Sequence, residues 1–116
     1  MKFLMTYENK TNVPPTQEQM AAIGKFTEEM RSSGILLMTG GLQRPTKGAR
    51  VRLSSGKFSV TDGPFAETKE LIDGFALIEV GSKEEAFAVA ERFMKIAGDG
   101  EGEVLQVFDP GGPPPR

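Results

Sequence analysis

The chain has 116 residues and a mass of 12.6 kDa, the size of one domain, with 38% hydrophobic residues to fill a single core. Fourteen Lys and Arg against sixteen Asp and Glu leave a net charge of -2, which gives no electrostatic footprint for nucleic acid or an anionic membrane. Cysteine and histidine are both absent, so disulfides, thiolate nucleophiles, histidine triads and Cys/His zinc sites are excluded together, and acid-base work at neutral pH falls to Asp, Glu, Lys or the single Tyr7.

The apolar run Phe3-Leu4-Met5 is too short for the core of a secretory signal. No stretch approaches ~18 consecutive apolar residues. A cytoplasmic location is therefore expected. In chain order, β-branched and aromatic content predicts strands at 2–7, 35–38, 49–53, 58–61, 75–80 and 104–108. The first helix starts at Thr16, which with Gln19 makes a capping-box pattern; Met20, Ile23, Phe26, Thr27 and Met30 follow, and Gly34 ends it. Ser82 with Glu85 opens a second helix, whose stripe of Ala86, Ala90, Phe93 and Ala97 runs to Gly98. The run 98–102, Gly-Asp-Gly-Glu-Gly, reads as a flexible connection, and the Gly/Pro tail at 110–116 as a disordered appendage to a domain spanning 1–109.

Between the helices, Ser55-Gly56 reads as a two-residue hairpin turn. That register sets Leu53 opposite Phe58, Arg52 opposite Ser59 and Val51 opposite Val60, so apolar meets apolar while Arg50 and Arg52 share the other face. The order strand, helix, strand, hairpin, strand, helix, strand is an α+β, ferredoxin-like β-α-β-β-α-β plan with an inserted hairpin. Such a sheet carries both helices on one face, and the other face should alternate to polar. Here the second and penultimate main strands, Ile35-Leu36-Leu37-Met38 and Phe75-Ala76-Leu77-Ile78, are apolar on both sides. A second copy packed sheet to sheet is the expected cover, making a homodimer.

From Thr61 the chain reads TDGPFAETKELIDGFALIEV. With the MKFLMTYE opening and the GGLQRP and ARVRL segments, this string resembles the DGPF-domain branch of the YCII-related family, small proteins with a dimeric α+β barrel fold. The resemblance covers nearly the whole chain and implies a homodimer of unestablished activity, set beside alternative sigma factors in a regulatory context. Two features depart from the pattern. Leu105 and Gln106 stand where such proteins carry an Arg-Pro pair, and the histidine of the wider group's His-Asp dyad is missing.

The DGPF segment has a purely structural account: Asp62 turns the chain through its own amides, Gly63 adopts conformations closed to other residues, Pro64 fixes the next φ and Phe65 anchors the loop. It also has a chemical one. Asp62, the candidate acid-base residue, is followed by Glu67, Lys69, Glu70 and Asp73, and crowded carboxylates beside an apolar cleft raise one another's pKa. Solvated charges with a Lys69–Asp73 pair are the plainer reading of that run. Upstream, between Gly41 and Thr61, five basic residues (Arg44, Lys47, Arg50, Arg52 and Lys57) occur with no acid. Arg50 and Arg52 either hold an anionic ligand, face a partner's acidic loop, or keep a strand edge from aggregating. The ligand-binding set expected from these arguments is Arg50, Arg52, Asp62, Gly63, Pro64, Phe65, Glu67 and Lys69, for a small organic or anionic ligand and without cofactor or metal. The alternative is a cofactor-free enzyme using carboxylate acid-base chemistry. An all-carboxylate metal site at Asp62, Glu67, Glu70 and Asp73 is a remote third, and nucleic-acid binding lacks a stacking platform.

Overall fold

A computed structural model describes residues 1–11, 13–42, 48–62 and 73–108, the side chain of Asp62 excepted. The described elements are β1 (Lys2–Asn9), α1 (Gln17–Ser32), β2 (Leu36–Gly41), β3 (Ala49–Ser54), β4 (Lys57–Asp62), β5 (Asp73–Glu79), α2 (Lys83–Ala97), β6 (Gly100–Glu101) and β7 (Val104–Val107). The main sheet is antiparallel with strand order β2-β5-β1, and both β6 and β7 pair with the far edge of β1. With β6 and β7 taken together this is the ferredoxin-like order, and β3-β4 stands apart as a two-stranded sheet.

Both helices begin as their sequences predict. The Thr16 hydroxyl accepts from Gln19 N at 3.0 Å while Gln19 Oε1 accepts from Thr16 N at 2.9 Å, a complete capping box. At the second helix Ser82 Oγ accepts from Glu85 N, but the Glu85 carboxylate reaches past the cap to accept from Gly81 N at 2.8 Å. Gly34, at φ +82°, and Gly98, at φ +104°, terminate the helices in a region that favours glycine.

Alternation along β1 buries Phe3, Met5, Tyr7 and Asn9 against the helices. Their register partners on β5, from Ile78 through Ala76 to Gly74, fall on the same face. Phe3, Met5, Ile78, Val80 and Ala86 form the core cluster, with Leu36, Val89 and Val104 packed around it. The helices meet through aromatics: Phe93 stands edge-on to Tyr7 at 5.2 Å between centroids and packs against Phe26 at 6.4 Å. Arg92 caps this contact, with its guanidinium 4.8 Å above the Phe26 ring and 2.8 Å from the Glu29 carboxylate.

Three expectations are corrected. Residues 98–102 are not merely a connection, because Gly100 and Glu101 form β6 opposite Asn9 and Glu8. The missing side chain is the reason: a Cβ on Gly100 would lie 2.6 Å from the Tyr7 ring, so only glycine lets this strand reach β1. Met20, expected in the apolar stripe of α1, is exposed, whereas Phe26 and Met30 of the same expected set are buried. The second strand, expected at 35–38, runs instead from Leu36 to Gly41, and its register with β5 shifts between Leu36 and Met38, which leaves Leu37 at a bulge. The segments 43–47, 63–72 and 109–116 lie outside the described residues, and with them the DGPF loop and the tail.

Candidate functional site

Two surfaces of the described structure carry more than packing: the face of the main sheet turned away from the helices, and the β3-β4 hairpin. On the first, Leu4 pairs with Leu77 on one side and Leu105 on the other, and Leu77 pairs with Met38. An apolar row therefore crosses four strands, with Met38 59% and Leu105 46% exposed at its ends. Beside the row the Phe75 ring lies over Gly40, where a Cβ would come within 2.9 Å of it. At the end of this face the row gives way to charge. Glu8 and Asp73 occupy facing positions on β1 and β5, and Lys10 bridges Glu8 and Glu101, at 3.3 Å from each. The hydrogen bond that the Lys10 ammonium donates to Glu8, and then the one it donates to Glu101, raises its pKa above the ordinary value.

The hairpin turn places Ser55 at φ +50° and Gly56 at φ +78°, the positive pair that a two-residue turn of this type requires. Its register is the one the sequence predicts, with Leu53 opposite Phe58, Arg52 opposite Ser59 and Val51 opposite Val60. Arg50 is opposite Thr61. One face thus presents two guanidinium groups beside two hydroxyls, the donor set that an oxyanion accepts from. Arg50 and Arg52 are exposed, and neither has an ion-pair partner among the described residues. On a strand, residues two apart on one face are separated by about 6.8 Å, so the two guanidinium forks can converge on a single small anion.

Asp62 ends β4 and pairs with Ala49. Successive strand positions alternate between faces, so the Ala49–Asp62 position belongs with the Val51–Val60 pair and not with the arginines. The structure thus brings Arg50 and Arg52 together and sets Asp62 at the alternate register. Gly63, Pro64, Phe65, Glu67 and Lys69 lie outside the described residues, as does Glu70; Asp73 opens β5. Among the described residues no group of three or more acidic side chains could hold a metal ion, and no described helix is long and apolar enough to cross a membrane.

Tyr7, one of the few groups the composition left for acid-base work, has a structural place. Its hydroxyl donates to Gly98 O at 2.7 Å, and Asn9 Nδ2 donates to the same hydroxyl at 3.4 Å. Asn9 is a residue that sequence reasoning misses. It is buried, its Oδ1 accepts from Thr11 N and Thr11 Oγ1, and its amide reaches Ala97 O. Gln19 Nε2 also donates to the carbonyls of Ile96 and Ala97. Together these side chains satisfy the carbonyls left over at the end of α2. The signal was available in the alternation Phe3, Met5, Tyr7, Asn9, which runs one step beyond the apolar residues.

A family model for the YCII-related domain matches residues 1–109. The chain belongs to the YCII-related family. Over 69 residues it is 41% identical to an uncharacterized protein of Rhizobium meliloti (strain 1021), a match covering 57% of this chain and 56% of that relative. The match thus spans only about half of that protein. Family membership agrees with the ferredoxin-like topology and assigns no reaction.

Proposed function

We propose that this YCII-related protein, of the DGPF branch by its DGPFAETKE string, is a homodimeric binding protein for a small organic anion, held by Arg50 and Arg52 of the hairpin. The observation that carries the reading is the pair of exposed guanidinium groups, faced by Thr61 and Ser59 and without an ion-pair partner among the described residues. Arginine forks recognise carboxylates and phosphates through two parallel hydrogen bonds, which a surface lysine cannot reproduce. The row of Met38, Leu77, Leu4 and Leu105, exposed at both ends, supports the homodimer, because an apolar face spanning four strands is an association surface.

The alternative of carboxylate catalysis rests on Asp62 with Glu67 and Glu70, and no described contact favours it. The test is a thermal-shift panel of dicarboxylates, hydroxy acids and phosphate esters on wild type and Arg52→Ala. An anion that raises the melting temperature of wild type but not of Arg52→Ala supports the reading. A panel in which no anion shifts wild type, or in which Arg52→Ala responds equally, contradicts it.

A further inference from the structure

We propose that the β3-β4 hairpin is a clasp that lays its apolar face on a second copy of this chain. The clasp rests on the homodimer reading above and says what covers the apolar row of the sheet: the hairpin of the partner.

From Arg50 to Thr61 the hairpin alternates, and the Ala49–Asp62 pair stands at the open end of the apolar register. Val51, Leu53, Phe58 and Val60 occupy one face and Arg50, Arg52, Ser59 and Thr61 the other. Apolar on one side and polar on the other is the pattern of a sheet with one covered face. Among the described residues nothing covers that face: its four large side chains are 55–71% exposed. An isolated two-stranded hairpin is at best marginally stable in water, so this one needs an apolar surface to lie on.

The same chain carries a second uncovered apolar surface, the sheet row ending in Met38 and Leu105, with Val107 beside it. Two unmatched surfaces on one chain are both covered when two copies meet about a two-fold axis, the hairpin of each on the body of the other, and such an arrangement closes at two subunits. The extent also fits. The exposed parts of the four hairpin side chains, with those of Met38, Leu105 and Val107, present roughly 700 Å² per copy, against the ~800 Å² that each partner contributes to a standard stable interface. With the apolar face turned to the partner, Arg50 and Arg52 point outward and stay open to an anion.

The test uses the absence of cysteine in the chain. Leu53→Cys supplies a single thiol on the apolar face, and its rate of reaction with a maleimide is followed from nanomolar to high micromolar protein. The clasp predicts a rate about tenfold slower at the high end, tracking the dimer fraction by mass action. A rate that is the same at every concentration overturns the clasp and leaves the face to a partner of another kind. In parallel, sedimentation of Phe58→Ser gives the dimer dissociation constant, with far-ultraviolet circular dichroism confirming the fold. Weakening by about tenfold supports the clasp, and an unchanged constant overturns it. Leu105→Asp separates the two readings: if it dissociates the dimer while the thiol at 53 is unprotected in wild-type background, the sheet pairing stands alone. If the dimer survives Leu105→Asp, the partner's hairpin does not lie on the row that ends in Leu105, and the clasp is overturned.

Discussion

The hydroxyl of Tyr7 donates to the carbonyl of Gly98 at 2.7 Å, joining residues 91 positions apart in the chain. The bond ties the first strand to the C-terminal cap of α2, where a helix leaves its carbonyls without internal partners. Burial raises the pKa of the phenol above its ordinary 10.0; the Asn9 hydrogen bond opposes that rise and the Asp99 carboxylate adds to it. The folded protein therefore holds this proton more tightly than the unfolded chain. Its contribution to stability is complete below pH 10.0 and is lost as pH rises through the higher folded value. Tyr7→Phe should cost about 0.5–1.5 kcal/mol at neutral pH and should flatten the alkaline fall in melting temperature. Thermal melts of both proteins between neutral and strongly alkaline pH check the two effects together.

Gly102 and Gly24 make opposite predictions from the same substitution. A Cβ on Gly102 would run into the Thr6 carbonyl, at the point where Thr6 N donates to Glu103 O at 2.9 Å and Glu103 N donates to Thr6 Oγ1 at 3.0 Å. Gly102→Ala should destabilise by about 1–3 kcal/mol as β6 and β7 are pushed from β1. Gly24 lies inside α1, and a Cβ added there would meet nothing within 4 Å, so Gly24→Ala should stabilise by about 0.4–1 kcal/mol. Urea denaturation of the two variants should move the midpoint in opposite directions.

Arg52→Lys distinguishes fork recognition from simple charge attraction at the hairpin. Lysine keeps the positive charge but loses the planar, two-toothed geometry. The variant should retain less than half of the wild-type thermal shift with a dicarboxylate, and what remains should vanish with added salt, as screened attraction does. An undiminished shift in Arg52→Lys would mean that net charge alone holds the anion.

Much of the fold was legible because local signals and long-range pattern agree. The Ser55-Gly56 turn and the alternation of Val51, Arg52, Leu53 with Phe58, Ser59, Val60 specify one register, and that register is observed. The capping pairs likewise mark where both helices begin. What escaped the sequence has no side-chain signature. The two-residue strand β6 exists because Gly100 can approach the Tyr7 ring, a long-range steric fact invisible in a Gly-rich run. The bulge at Leu37 likewise depends on β5 across the sheet and not on its own residues. Of the candidate site, the shared face of Arg50 and Arg52 followed from strand periodicity. Carrying the same register two positions further would have paired Asp62 with Ala49 and separated it from the arginines. The chemistry of Glu8, Lys10 and Glu101 was not legible, since only the sheet pairing brings these residues together.

The measurement that bears most directly on the proposed dimer is the mass of the wild-type protein in solution. Met38, Leu77, Leu4 and Leu105 form an apolar row on one side of the main sheet, half-buried at its centre and exposed at Met38 and Leu105, and Val51, Leu53, Phe58 and Val60 form an exposed apolar face on the hairpin. Sedimentation equilibrium at micromolar concentration should return about twice 12.6 kDa, with dissociation only on strong dilution. A single species of 12.6 kDa across the same range would contradict the dimer, because both apolar surfaces would then face water in the stable form of the protein.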